Sequence, residues 1–183
     1  MNKSRKIILE GKRIVLRTLT REDAQDVSVA ANDEEIGKFT PLPYPFQLEN
    51  AIKLIDGTRN NINRGREFFL GIEFDERIVG MAGLLKLDRI EKSGEVGCWV
   101  GREYRGKGLA GEALDVILNF GFREESLEKA WGRVTDKNYP SIKLLEKRGF
   151  LQTARFSQTR KIEGQFVDDL VYELTREKYF EVT

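Results

Sequence analysis

Gly101-Arg102-Glu103-Tyr104-Arg105-Gly106-Lys107-Gly108-Leu109-Ala110-Gly111 lies between a stretch that reads as a strand and one that reads as a helix. Glycines at such a junction let the backbone approach a ligand closely, and the start of the helix offers unpaired N–H groups at a positive dipole end. Phosphate is the natural ligand of that arrangement. The plainer reading is a tight turn that uses glycine only to reverse direction. Arg102, Arg105 and Lys107 bring more cation than a turn needs, which favours phosphate. Two nucleotide patterns are nearly matched here. Gly101 to Lys107 satisfies G-x-x-x-x-G-K, but Gly108 stands where Ser or Thr must hold magnesium. Gly106, Gly108 and Gly111 satisfy the G-x-G-x-x-G of dinucleotide sites. The strand before them, however, closes an antiparallel run, and Asp136 comes too late to hold a ribose. Both patterns are set aside.

The segments upstream of this turn fix the sheet. Phe68, Leu70, Ile72 and Phe74 alternate, Asp75-Glu76-Arg77 turns, and Ile78 to Leu87 is a nearly continuous apolar strand. Glu95 to Val100 alternates Val96, Cys98 and Val100 against Glu95, Gly97 and Trp99. The connections are too short for parallel crossovers, so these three form an antiparallel meander. Further upstream, Arg13 to Leu19 reads as a strand, Arg21 to Ala31 as a helix capped by Thr20, and Leu48 to Asn63 as an amphipathic helix weakened at Gly57. Between the helices, Pro41-Leu42-Pro43-Tyr44-Pro45 is an extended loop whose Phe39, Leu42, Tyr44 and Phe46 want burial or a ligand. Downstream, a helix from Gly108 to Phe122 precedes a strand at Ala130 to Val134 and a short helix at Ser141 to Arg148. Strands at Phe150 to Thr159 and Phe166 to Leu174 finish the pattern, turning at Ile162-Glu163-Gly164. This order gives a mixed sheet with helices on its faces, α/β or α+β.

Composition narrows the chemistry. The 183 residues suit one domain over 1–183, without internal repeats. Thirty-one basic and thirty acidic residues leave a formal charge of +1, which argues against a nucleic-acid or membrane-surface partner. The chain has no histidine and one cysteine, Cys98. No Ser-His-Asp triad, Cys-His pair or HExxH zinc site can be built from it, and no metal is expected. The basic start, Lys3-Ser4-Arg5-Lys6, precedes too few apolar residues for a signal peptide, and no stretch is long enough to span a membrane. A cytoplasmic location is the expectation.

Arg105-Gly106-Lys107-Gly108-Leu109-Ala110 matches the Q/R-x-x-G-x-G/A signature of the GNAT (general N-acetyltransferase) superfamily, and the chain resembles that superfamily elsewhere. Asn138 to Phe150 is similar to its second cofactor segment, N-x-x-S-x-x-L-x-E-K-x-G-F, and Gly94 to Val100 to its fourth strand. Leu9 to Leu19 and Pro43-Tyr44-Pro45-Phe46 resemble the ribosomal-protein N-terminal (serine/alanine) acetyltransferase branch. The resemblance implies an α+β fold: a central mixed, mostly antiparallel sheet flanked by helices, with a V-shaped opening for acetyl-CoA. It implies that N–H groups of Arg105, Gly106, Lys107, Gly108, Leu109 and Ala110 hold the pyrophosphate. The pantetheine arm would run beside Cys98, Trp99 and Val100, between that strand and the one ending at Thr135. Asn138 and Ser141, one turn apart at a helix start, would face the same cofactor.

The reaction implied is direct acetyl transfer to a primary amine, a peptide or protein N-terminal α-amine or a small amine, by a monomer or homodimer. A catalytically silent acyl-CoA-binding module on the same fold is the alternative. Cys98 is the only conceivable thiol nucleophile, yet no imidazole exists to activate it. Many members of the superfamily carry a tyrosine acid where this chain has Leu145. Ser141 is the best substitute as proton donor to the leaving thiolate, Tyr139 the second choice, and a helix-start residue bonding local backbone the plain reading of Ser141. Glu95, beside the pantetheine path, is the leading base; its plain reading is a solvated residue on an open sheet face. Asn138 as a simple N-cap is compatible with cofactor contact.

Overall fold

The computed structural model describes residues 5–182; Lys3 and Ser4 of the basic start lie outside the described residues. Alternation along Phe68–Phe74 buries Phe68, Leu70 and Ile72 completely, and the apolar run that follows is buried on both sides. These strands form the middle of an eight-stranded sheet. In chain order the strands are β1 (Ile8–Glu10), β2 (Val15–Arg17), β3 (Phe68–Phe74), β4 (Arg77–Asp88), β5 (Ser93–Val100), β6 (Lys129–Thr135), β7 (Leu151–Ile162) and β8 (Gln165–Thr175). Their spatial order is β1-β2-β3-β4-β5-β6-β8-β7, and every neighbouring pair is antiparallel except β5 and β6. The helices are α1 (Ala24–Ala31), α2 (Glu34–Phe39), α3 (Leu48–Asn63), α4 (Leu109–Asn119), α5 (Tyr139–Glu146) and α6 (Arg176–Val182).

Local chemistry sets the turns. Asp75 and Glu76 both adopt positive φ (48° and 60°) between β3 and β4, and Glu163 and Gly164 (50° and 79°) join β7 to β8. Two consecutive left-handed residues match the right-handed twist of the strands they connect. Thr20 leads into a 3-10 turn at Arg21–Asp23 ahead of α1, where the Asp23 carboxylate accepts from the Thr20 N–H at 2.7 Å. The α3 helix has the limits its apolar periodicity predicts. The short β1, α2 and α6 have no counterpart in the sequence reading. β1 is held by tertiary bonds, the Thr18 N–H to the Ile7 carbonyl and the Ile7 N–H to the Thr18 hydroxyl, both 3.0 Å. Helix α2 begins at Asp33, inside what reads as loop, where the Asp33 side chain accepts from the Glu35 N–H.

Each face of the sheet carries its own core. Leu70, Ile72, Leu84, Val96 and Val100 pack against Leu109, Ala113, Leu114 and Ile117 of α4. On the opposite face Leu19, Met81 and Trp99 pack against Val27, Ile36, Ala51 and Ile55 of α1–α3. The strands between these layers approach so closely that a Cβ on Gly83 would lie 2.0 Å from the Phe68 carbonyl oxygen. Nothing lies within 4 Å of the corresponding point on Gly57, inside α3. Gly83→Ala is therefore expected to destabilise the protein by roughly 2 kcal/mol or more, because backbone rather than a flexible side chain must yield. Gly57→Ala is expected to stabilise it by about 0.5–1 kcal/mol through helix propensity. Urea unfolding of the two variants checks both signs; effects of the same sign would contradict this packing.

Candidate active site

The parallel pairing of β5 with β6 lasts for only three residue pairs, Ser93, Gly94 and Glu95 with Lys129, Ala130 and Trp131. Beyond it β5 stays with β4 (Val96 opposite Leu84, Val100 opposite Gly80), and β6 stays with β8 (Gly132 opposite Tyr172, Thr135 opposite Asp169). The strands thus part into a V. Leu145 of α5 sits at the fork: a Cβ on Gly132 would meet its Cδ1 at 3.2 Å and Val96 Cγ2 at 3.5 Å. Backbone groups of Val96–Val100 and Gly132–Thr135 that point into the V have no ladder partner among the described residues. Apart from the Val100 carbonyl, which accepts from Arg105 Nε, they make an edge that an extended ligand with amides can join.

A cavity of about 500 Å³ occupies this fork and reaches both faces of the sheet. Leu114, Leu144, Leu145, Asn138 and Ser141 line it from α4 and α5; Phe39, Pro41, Leu42, Leu54 and Phe69 line it from the other side. Trp99 and Thr135 also line it, and the Trp99 Nε1 and Thr135 Oγ1 atoms are buried without a hydrogen-bond partner among the described residues. Orphaned polar atoms of this kind are rare in folded interiors and fit a site that a polar ligand completes.

The glycine-rich turn lies at the far end of β5, outside the cavity lining. Gly106 (φ 73°) and Gly108 (φ 80°) are left-handed, a conformation side chains resist, although space beside Gly106 is open. The first helical bond of α4 runs from the Glu112 N–H to the Gly108 carbonyl at 3.1 Å. The N–H groups of Gly108, Leu109, Ala110 and Gly111 therefore lack helical partners, as a helix N-terminus requires. Leu109 sends its side chain into the core, so only its backbone can serve a ligand. The cations of the turn are partly spoken for. Asp33 accepts from Arg102 at 3.2 Å and from Arg105 at 2.6 Å, Arg105 Nε also donates to the Val100 carbonyl, and Lys107 Nζ sits 5.0 Å from the Tyr104 ring centre. What the turn presents to an anion is mainly backbone, which suits the pyrophosphate of a nucleotide cofactor.

The other sequence-derived residues divide clearly. Asn138 Oδ1 accepts from the Ser141 N–H at 3.3 Å, so Asn138 caps α5 and still lines the cavity. Ser141 lines it too; Tyr139 is exposed and does not. Glu95 lines the opposite face with Trp99, its side chain 14 % exposed and ion-paired to Lys86 Nζ at 2.6 Å. Trp99 belongs by its side chain to the core of α1–α3, and its backbone is paired with Met81 of β4, so of β5 it is Val96 and Cys98 whose backbone groups face the open side. Sequence reasoning overlooked Lys53, Asn61, Glu67, Arg133 and Arg160, which also line the cavity. On α3, in the loop before β3 and on β6 and β7, their polarity reads as ordinary solvated surface. Among the described residues, no group of three or more Cys, Asp or Glu side chains could hold a metal ion, and no helix is long and apolar enough to cross a membrane.

Cys98 points to α4, its Sγ 3.9 Å from the Ala110 carbonyl. Burial pushes its thiol up to about 12, only partly offset by the charge of Arg148. At pH 7.5 such a thiol stays protonated, which leaves too little thiolate for a nucleophile. Cys98→Ala should keep acyl-transfer turnover within about twofold, and wild-type alkylation by iodoacetamide at pH 7.5 should be far slower than for a free thiol. Loss of turnover in a folded Cys98→Ala protein would reinstate the thiol.

Comparison with known proteins converges on one family. Residues 13–151 match the acetyltransferase (GNAT) domain model. An uncharacterized N-acetyltransferase of Bacillus licheniformis, p20, is 28 % identical over 174 residues, covering 93 % of this chain and 97 % of the relative. The spermidine N(1)-acetyltransferase of Escherichia coli K12 is 27 % identical over 153 residues, covering 84 % of this chain and 81 % of that one. In fold, a ribosomal L7/L12 alpha-N-protein acetyltransferase solved with coenzyme A superposes with a TM-score of 0.85 at 16 % identity, covering 94 % of this chain and 99 % of that one. With a forked sheet, a glycine-rich turn ahead of α4 and a family match over most of its length, this chain belongs to the GNAT acetyltransferases.

Proposed function

We propose that the protein transfers the acetyl group of acetyl-CoA directly to a primary amine, a peptide or protein N-terminal α-amine or a small amine, in the cytoplasm, as one domain over 1–183 acting as a monomer or homodimer. The observation that carries this reading is the cavity at the β5–β6 fork, open to both faces of the sheet. One face, with Asn138, Ser141 and the open strand edges, suits the cofactor arm. The other, walled by Phe39, Pro41, Leu42, Leu54 and Phe69, suits the acceptor. Acetyl-CoA, when bound, supplies a thioester whose carbonyl an amine attacks with release of the CoA thiol.

The residues divide the proton work. Glu95, on the acceptor face, receives the proton that the attacking amine loses, and Lys86 fixes its carboxylate in place. Ser141, across the fork, donates toward the sulfur that departs; Asn138 orients it by capping α5 through the Ser141 N–H. The backbone N–H groups from Arg105 to Ala110 hold the pyrophosphate, while the pantetheine arm runs beside Cys98, Trp99 and Val100 and meets the open strand edge at Val96 and Cys98. The Leu145 side chain is an apolar wedge, so no phenol serves this position. Removing the donor from such a site typically costs about a hundredfold in rate. Ser141→Ala should accordingly lower kcat by about that factor while leaving CoA affinity, read by calorimetry, within about threefold. Unchanged kcat would remove Ser141 from the chemistry.

Modest acid–base equipment selects its substrate. An α-amine of pKa about 7.7 to 8.0 needs roughly 0.3 to 0.7 kcal/mol to lose its proton at pH 7.5, and a lysine near 10.4 needs roughly 4 kcal/mol. Peptide N-termini, or small amines of similarly low pKa, should therefore outperform lysine side chains. Mass spectrometry of products from acetyl-CoA and a panel of N-free peptides, N-blocked lysine peptides and polyamines tests this. A lysine side chain acetylated as fast as the best free N-terminus would overturn the choice of acceptor, and CoA binding without any product would leave only a binding module.

A further inference from the structure

Asp33 is a carboxylate with almost no access to solvent, 5 % exposed, and it makes three sets of contacts at once. It accepts from the Glu35 N–H at 3.1 Å and so caps α2. It accepts from Arg102 at 3.2 Å and from Arg105 at 2.6 Å, both in the glycine-rich turn. Burial alone would raise its pKa, but the hydrogen bonds from Arg102 and the Glu35 N–H, with the charges of both arginines, hold it below the usual carboxylate range. The turn also rests on the end of α1, where a Cβ on Gly101 would lie 3.1 Å from the Ala30 Cα. Helix α2 is six residues long and ends at Phe39. Phe39, Thr40, Pro41 and Leu42 are the acceptor-side wall of the cavity. A rise of about 1.5 Å per residue puts Phe39, where that wall begins, about 9 Å from Asp33 along a single short helix. A second tether, Lys38 to Glu163 at 2.7 Å, holds the outer flank of α2 to the β7–β8 turn.

We propose that Asp33 is a positioning residue that couples the two halves of the site, so that occupation of the glycine-rich turn by the cofactor pyrophosphate sets α2 and orders the acceptor wall from Phe39 to Leu42. The proposal rests on the cofactor reading given above. Two guanidiniums share one buried carboxylate, so a pyrophosphate at the turn offers them a second anion and changes how they hold Asp33. Asp33 cannot move without its helix, because the same carboxylate is the helix cap. Linkage makes the effect reciprocal: an ordered acceptor wall favours cofactor by the same factor that cofactor favours the wall.

Hydrogen exchange with and without CoA tests this, with calorimetry in parallel. In the wild type, CoA should slow exchange in residues 102–111 and also in residues 34–42. Asp33→Asn keeps a competent helix cap but cannot balance two guanidiniums. It should bind CoA about fivefold or more weakly; at saturating CoA it should keep protection in 102–111 and lose the response in 34–42. Arg105→Gln, which leaves Asp33 and its cap intact, should reproduce the lost response and covers the case in which Asp33→Asn fails to fold. A response in 34–42 that persists in these variants, or that is absent from a wild type whose 102–111 segment is protected, overturns the coupling alone. A wild type that shows neither heat nor protection with CoA overturns the cofactor reading and the coupling with it.

Discussion

The molecule is organised by a ladder that stops. β5 and β6 pair over Ser93–Glu95 and Lys129–Trp131 and then separate, although both continue as strands. Each keeps an antiparallel partner on its outer side, so the separation leaves one open edge on each strand and costs no other pairing. Leu145 holds the fork apart from the α5 side, packed on Gly132 and Val96, where a larger residue than glycine would crowd it. An eight-stranded sheet would otherwise be a closed wall between two helical layers. The fork makes it a passage, and a passage is what two reactants need if they are to meet from opposite faces.

The same economy appears at the glycine-rich turn. Its arginines look in sequence like a phosphate clamp, yet Arg102 and Arg105 are turned inward to a single buried carboxylate. Desolvating one charge against two is tolerable because the arginines stay largely in contact with water while Asp33 does not. What remains for an anion is the ring of N–H groups created by Gly106, Gly108 and the first turn of α4. The orientation of these N–H groups themselves is fixed by the backbone before any ligand arrives, which limits the entropic cost of recognising an anion there.

Chemical restraint follows from composition. The chain has no histidine, and its one thiol, half-buried against α4, is held in the protonated form. The groups it does place at the fork are Ser141 on one face and Glu95, paired to Lys86, on the other, the residues to which the proposed function gives the proton transfers. The cavity lining is apolar at Phe39, Leu42 and Leu54 and polar at Asn61, Glu67 and Arg160.

The central meander, the limits of α3, the glycine-rich turn and the helix after it were legible in the sequence, because each rests on local periodicity or on a backbone conformation that only certain residues adopt. The cap at Asn138 was legible for a similar reason, a cap and its first turn being local, whereas Asn138 and Ser141 became site candidates through the family resemblance. The absence of histidine by itself excluded the Ser-His-Asp triad, the Cys-His pair and the HExxH zinc site. Tertiary structure alone decided the rest. That β5 and β6 part after Glu95, that Arg102 and Arg105 spend their charge on Asp33, and that Lys53, Asn61, Glu67 and Arg160 surround one cavity all depend on residues far apart in the chain. A charged residue reads the same in sequence whether it faces water or a buried partner; only packing, by removing the water, gives it a role.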